Sequence, residues 1–221
     1  MSHTQHQQKW PAWKLVRLFF LAAGVCLLGY VGYALLDAKL FQAYENRQFD
    51  MAVKRSSSST EAVRAATIPV SSAPHDEVHL ASGSVLGRIE ISRIGVAVIV
   101  LEGTEAKTLR RSVGHITGTA LPGEQGNIAI AGHRDTFFRG LRNIRQDDEV
   151  TLTTIHGSYL YRVDSMKIVD PEDLAVLKST DESTLTLVTC YPFDFVGPAP
   201  KRFIVHAHRG QVLVGMAQVD R

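Results

Sequence analysis

Hydrophobic and polar positions fall into three textures along the chain. From Leu18 to Leu36, nineteen consecutive residues carry no charge. At about 1.5 Å per residue, a helix of that length spans about 28 Å, the depth of a bilayer's hydrocarbon core. From Asp37 to Lys54, the apolar residues Leu40, Phe41, Tyr44, Phe49, Met51 and Val53 interrupt a charged stretch at an irregular period, which extends the helix as a short juxtamembrane stalk. Arg55 to Ser82, with the Ser56 to Ser59 run, Pro69 and Pro74, holds too little apolar side chain to bury a core and reads as a flexible spacer.

Beyond Ser84 the pattern changes to short apolar runs parted by turn residues. The predicted strands are Leu86 to Ile91, Val96 to Leu101, Asn127 to Ala131, Glu149 to Thr154, Ser158 to Asp164, Met166 to Val169, Thr184 to Thr189 and Phe203 to Ala207. His156 and Gly157 read as a hairpin turn between two of them. Helical signals are short: Thr104 caps a turn or two reaching Arg111, and Pro171 opens another reaching Leu177. Eight short strands with little helix predict a mainly β fold, a closed barrel or a sandwich with inserted helical turns. The expected organisation is a cytoplasmic segment (1–17), a transmembrane signal anchor (18–36), a juxtamembrane stalk and flexible linker (37–83) and one folded domain (84–221).

Charge then orients the anchor. Lys9, Lys14 and Arg17 precede the apolar run, no acidic residue occurs before Asp37, and Trp10 and Trp13 sit where interfacial aromatics belong. The N-terminus is expected to stay cytoplasmic and the folded domain to lie outside. A cleaved signal peptide fits less well, because its apolar region is about 7 to 15 residues and Leu36-Asp37-Ala38 is a poor small-x-small site. With 24 basic and 22 acidic residues, the net charge of +2 offers no concentrated basic face for nucleic acid. The two cysteines, Cys26 in the apolar run and Cys190 in the folded domain, cannot meet in this topology. Cys190 is then an unpaired thiol in a compartment that oxidises thiols, which calls for a use.

The stretch from Thr184 to His208 holds that thiol. Strand alternation sets Leu185, Leu187 and Thr189 on one face and Thr186, Val188 and Cys190 on the other, more polar one. A cysteine serving only as a small hydrophobe belongs with the leucines. His133 follows one predicted strand, Cys190 follows another and Arg202 opens a third. A thiolate is a competent nucleophile, an imidazole can protonate a leaving amine, and a guanidinium can hold a carbonyl or a developing oxyanion. These roles suit acyl transfer through a thioester; from spacing alone, a packed cysteine with a surface histidine and arginine stays open.

Thr186-Leu187-Val188-Thr189-Cys190 resembles the Thr-Leu-x-Thr-Cys signature of the sortases, and Ala131-Gly132-His133 resembles their histidine motif. Arg202, at the head of a Phe-Ile-Val strand, falls where the sortase arginine falls. Gly114-His115, Gly118 to Gly123, Gly132 to Thr136 and Cys190 to Phe193 are most similar to the class D type. The resemblance spans roughly Ser84 to His208. It implies an eight-stranded sortase-type β-barrel on the outer face of a bacterial plasma membrane. The implied activity is that of a cysteine transpeptidase acting on a Leu-Pro-x-Thr-(Gly or Ala)-like signal of a secreted protein. By this likeness Cys190 is the nucleophile, His133 the general acid and base, and Arg202 the group that binds substrate backbone or oxyanion. The acceptor is an amine of peptidoglycan or of a pilin.

The resemblance also suggests substrate-groove candidates in Thr189, His115, Tyr191 and Pro192. His115 reads first as a loop-ordering residue, with a supporting role in the groove as the alternative, and the Tyr191 to Pro200 loop either walls the groove or merely connects two strands. Asp135 is a candidate to orient His133 or an ordinary turn carboxylate. His206 and His208 share a strand face at i, i+2, but no second ligand cluster accompanies them, so no metal is assigned. No acidic cluster argues for a calcium site and no cofactor is expected. A non-catalytic envelope barrel that binds or scaffolds such signals is the alternative reading.

Overall fold

The computed structural model describes residues 12–64 and 80–210. These form two compact units, Met1–Leu40 and Phe41–Arg221. The first unit is helical: α1 (Ala12–Arg64) begins there, and it is the one helix among the described residues long and apolar enough to cross a membrane. Trp10 and Lys9, invoked above for orientation, lie outside the described residues, as do Pro69 and Pro74 of the spacer.

The second unit is a closed barrel. Its strands are β1 (Val85–Ile91), β2 (Val96–Glu102), β3 (Val113–His115), β4 (Asn127–Ala131), β5 (Glu149–Thr154), β6 (Gly157–Val169), β7 (Thr184–Tyr191) and β8 (Lys201–Arg209). Around the barrel they run β1-β2-β3-β4-β7-β8-β6-β5, with β5 returning to β1. Two pairs, β2 with β3 and β4 with β7, are parallel, and the rest are antiparallel. Closure removes the unpaired strand edges that an open sheet of this size would present. Alternate residues fill the interior, among them Ile89, Ile91, Val98, Val100, Ile128, Ile130, Leu152, Leu185, Leu187 and Val205.

Two strand expectations need correction. Ser158 to Asp164 and Met166 to Val169 are one strand, β6, because the polar pair Asp164-Ser165 marks a bulge between Val163 and Ser165 rather than a turn. The eighth strand is instead β3, three residues too short to show alternation. The β5 to β6 hairpin turns at Ile155-His156, one residue earlier than expected, with Gly157 at φ 152°. The two helical expectations survive in shortened form, as α2 (Ala106–Arg111) and a 3-10 turn at Leu174–Leu177.

The juxtamembrane segment differs most from its sequence reading. α1 continues through Arg64, into the stretch assigned by composition to a spacer. From Phe41 onward the helix packs on the outer face of β2, where Phe49 (4% exposed) joins Ile99 and Leu101, flanked by Phe41 and Val53. Gln42 bonds to β2 just before its pairing with β3 begins: the Ile99 N–H donates to its Oε1 at 3.1 Å, and its Nε2 donates to the Arg111 carbonyl at 2.7 Å. Arg88 lies over the Phe49 ring and pairs with Asp50 at 2.8 Å. Ile99 and Leu101 point away from the barrel interior, so without the helix they would face water.

Candidate active site

The site grows from the parallel pairing of β4 and β7, registered from Asn127 opposite Thr184 to Ala131 opposite Val188. Leu185, Leu187 and Thr189 are buried at 0, 1 and 2% exposure, so Cys190, with Val188, lies in the outward-facing set and is half-buried. Thr186 is also in that set yet fully buried, because its hydroxyl donates to Asn127 Oδ1 at 2.7 Å and Asn127 Nδ2 in turn donates to the Val176 carbonyl at 3.1 Å. This ties the Leu174–Leu177 turn onto the β4–β7 floor.

His133 is delivered just beyond β4. The Gly132 N–H donates to the Val188 carbonyl at 3.1 Å, and the buried Thr189 hydroxyl donates to the Gly132 carbonyl at 2.7 Å. A side chain at position 132 would collide with Phe138 Cδ2 at 2.7 Å and Val113 Cγ1 at 2.8 Å, so only glycine allows this approach. The Phe138 N–H then closes a turn on the His133 carbonyl at 3.0 Å, leaving the imidazole exposed. The two threonines of the Thr-Leu-x-Thr-Cys motif thus face opposite ways, and both hold β7 to β4.

Arg202 of β8 lies directly opposite Cys190 in the antiparallel register. Residues paired this way project from the same face of the sheet. The Arg202 guanidinium donates through Nη1 to the carbonyls of Ala199 at 3.3 Å and Lys201 at 3.1 Å, which fixes it at the strand entrance. Between the two strands, Tyr191 stacks on Phe203 with centroids 6.3 Å apart, and Phe193 meets the same ring edge-on at 5.4 Å. Pro192, preceded by a cis peptide bond, is half-buried beside them. The loop from Tyr191 to Pro200 is also held from the His133 side: Arg134 donates to the Phe195 and Gly197 carbonyls, and Arg142 pairs with Asp194.

His115 sits elsewhere. It pairs with Ile130 of the core, in the inward-facing set, and is 2% exposed. Its Nδ1 lies 2.7 Å from Glu102 Oε2, and its Nε2 lies 3.0 Å from the Ala120 carbonyl and 2.9 Å from the Thr119 hydroxyl. Glu102, itself buried, accepts from the Thr117 hydroxyl at 2.6 Å. This geometry orders the β3–β4 loop. Asp135 is exposed, and no hydrogen bond joins it to His133 among the described residues. His206 and His208 take separate partners, Thr186 at 3.1 Å and Asp164; burial holds His206 below the ordinary imidazole range, and Lys167 adds to the effect. Among the described residues no group of three or more His, Cys, Asp or Glu side chains is placed to hold a metal.

Sequence reasoning missed Asn127, Glu102, Arg134 and Arg142. Asn127 and Glu102 carried one available signal, a polar residue bounding an apolar strand, whereas nothing local marks the two arginines as loop ties.

A barrel that sets a half-buried cysteine opposite an arginine, with a histidine carried to the adjoining strand end, belongs to the class of cysteine transpeptidases. The sortase domain family matches residues 89–210, over half of the chain, and the chain belongs to the sortase family. It is 33% identical over 200 residues to sortase D of Bacillus subtilis strain 168, covering 89% of this chain and 98% of that one. Sortase A of Listeria monocytogenes is 28% identical over 125 residues, 55% of this chain and 54% of its own length. Among solved structures, a Clostridium perfringens sortase D5 transpeptidase aligns with a TM-score of 0.59 at 27% identity, covering 79% of this chain and 98% of that one. Sortase C1 of Streptococcus agalactiae aligns at 0.54 and 30% identity, covering 62% and 70%.

Proposed function

We propose that Cys190, His133 and Arg202 carry out the transpeptidation. The Cys190 thiolate attacks the threonine carbonyl of a Leu-Pro-x-Thr-(Gly or Ala)-like sorting signal in a secreted protein, forming a C–S bond. Arg202 donates to the resulting oxyanion or to the adjoining substrate backbone. As the tetrahedral species collapses, the C–N bond breaks and the His133 imidazolium gives its proton to the departing amine. An acceptor amine, from peptidoglycan or a pilin, then attacks the thioester; His133 takes its proton and the thiolate leaves. Water in place of the amine gives hydrolysis.

The observation that carries this reading is the cross-strand register of Cys190 with Arg202, joined to the tie between Thr189 and Gly132 beside His133. The chain is further inferred to be a single-pass plasma-membrane protein, with 1–17 cytoplasmic, Leu18 to Leu36 in the bilayer and the barrel extracytoplasmic. Incubation with a Leu-Pro-x-Thr-Ala or Leu-Pro-x-Thr-Gly peptide is expected to leave an acyl adduct on Cys190 by mass spectrometry. Continued cleavage or transfer by Cys190→Ala would overturn the assignment, and protection of the barrel from protease added outside intact spheroplasts would overturn the topology.

A further inference from the structure

The β7–β8 register sets Cys190 opposite Arg202, and the Thr189–Gly132 bond joins the residues that precede Cys190 and His133. A third tie, between the His133 and Arg202 ends of the centre, runs through Arg134. This residue follows His133 in the chain, and its Nη2 donates to the Phe195 carbonyl at 2.5 Å and to the Gly197 carbonyl at 3.1 Å. Arg202 Nη1 donates to the carbonyls of Ala199 and Lys201. Every second carbonyl from Phe195 to Lys201 therefore ends on one of two guanidiniums.

The backbone between these donors is stiff and has little other support. Pro198 and Pro200 have a fixed φ and no N–H, and they restrict Gly197 and Ala199 before them. Gly197 sits at φ 107°, a conformation open to glycine. Among the described residues, 196–200 makes no hydrogen bond between main-chain groups. A shift at Phe195 or Gly197 is passed on to Ala199, whose carbonyl is one of the two that fix Arg202. Arg134 itself gains little stability from the tie. Its guanidinium lies 5.8 Å from the centre of the Phe195 ring, but its Nη1 is buried with no partner among the described residues, and an unpaired buried donor offsets much of what two carbonyl bonds contribute.

The geometry points to Arg134 as a positioning residue for the acylation step: by holding the Phe195 and Gly197 carbonyls it sets the Ala199 carbonyl and, through it, the attitude at which the Arg202 guanidinium meets substrate. Arg142 reaches the same loop through the Asp194 carboxylate, a side chain 83% exposed, and an ion pair so open to water contributes little. The inference rests on the role proposed above for Arg202.

The test is a double-mutant cycle on the full chain in detergent micelles, with kcat/KM for cleavage of a Leu-Pro-x-Thr-Ala or Leu-Pro-x-Thr-Gly peptide as the readout and a denaturation midpoint measured for each variant. Arg134→Gln is expected to lower kcat/KM about tenfold, mostly in kcat, with little movement of the midpoint. Arg134→Lys, which can still reach one carbonyl, is expected to recover part of that loss. On an Arg202→Lys background, Arg134→Gln is expected to cost no more than about a further twofold, because the guanidinium to be positioned is gone. Arg142→Gln is expected to stay within about twofold of the parent. A tenfold loss that persists undiminished on the Arg202→Lys background overturns the proposal and leaves the role of Arg202 standing, as does an unchanged kcat/KM in Arg134→Gln or a loss that follows the midpoint. Parental activity in Arg202→Lys alone overturns the role of Arg202 and this proposal together. Should Arg134→Gln fail to fold, the same cycle is read with Arg134→Lys.

Discussion

The Thr189 hydroxyl of β7 donates to the Gly132 carbonyl just beyond β4 at 2.7 Å, and the next residue in the chain after each is a proposed catalytic one, Cys190 and His133. Thr189 is 2% exposed, so the bond is screened from water. Thr189→Val keeps the shape and deletes the donor, leaving a buried carbonyl with one partner fewer. The expected loss of stability is about 1 to 2 kcal/mol. Transfer rates are more sensitive to geometry than stability is, and kcat is expected to fall about tenfold or more with KM little changed. Peptide-transfer kinetics beside a denaturant titration read the two effects separately; an unchanged kcat would reduce Thr189 to a packing residue.

Arg202→Lys tests the guanidinium itself. A lysine keeps the charge but cannot hold the Ala199 and Lys201 carbonyls while presenting further donors to substrate. A loss in kcat/KM of about a hundredfold is expected, the size seen when one oxyanion donor is removed. The thermal midpoint should move little.

Asn127 is expected to matter for substrate affinity. Its side chain accepts from Thr186 and Thr184 and donates to the Val176 carbonyl, so Asn127→Ala frees the Leu174–Leu177 turn from the floor. The expected signature is a several-fold rise in KM at nearly constant kcat, with about 1 to 2 kcal/mol of stability lost, since the Thr186 hydroxyl keeps only the His206 ring as a partner. Hydrogen exchange across Leu174–Lys178 should rise in parallel.

The docked helix defines where the folded unit starts. A fragment beginning at Ser84, the boundary suggested by the strand pattern, exposes Ile99 and Leu101 and strips the Ile99 N–H of its Gln42 acceptor. A fragment beginning at Phe41 is expected to melt higher and aggregate less. Within it, Phe49→Ala is expected to cost about 3 kcal/mol, as for other buried aromatic truncations.

Tyr161 gives a pH signature. It is buried at 0% exposure with no hydrogen-bond partner for its hydroxyl among the described residues, and burial pushes its ionisation up to about 12 from the usual 10. The folded state therefore prefers the neutral phenol more strongly than the unfolded state does. That contribution is complete below pH 10 and is lost as pH rises from 10 towards 12. Tyr161→Phe is expected to leave stability at pH 7 unchanged or slightly higher and to flatten the alkaline loss, measured by urea unfolding at pH 8 and pH 11.

Local alternation made much of the site legible. Leu185 and Leu187 against Val188 and Cys190 is a period-two pattern, and the barrel keeps it, with the thiol off the packing face. Where a signal is weak or mixed, it misleads. Three residues of β3 cannot display a period, and the bulge at Val163 and Ser165 imitates a break between strands. In the juxtamembrane helix, Phe41, Phe49 and Val53 recur at helical spacing and face the barrel, but Leu40, Tyr44 and Met51 are apolar and exposed, which blurs the stripe. Gln42, the residue most intimately joined to the sheet, is polar and gives no hydrophobic signal. Asn127 and Thr186, or Arg134 and the Phe195 carbonyl, meet only after about sixty residues of intervening chain, and a pattern read within one segment cannot contain such pairs.

The position of β8 has a temporal consequence. The last strand among the described residues lies between β7 and β6, and the ring of strands cannot close until it is inserted. Until β8 is in place, β7 is open on the side away from β4, and Cys190 lacks the arginine proposed to stabilise its reaction. Closure of the cylinder and completion of the proposed acylating centre both require β8, so a chain interrupted before Lys201 would carry a thiol that has not yet been armed.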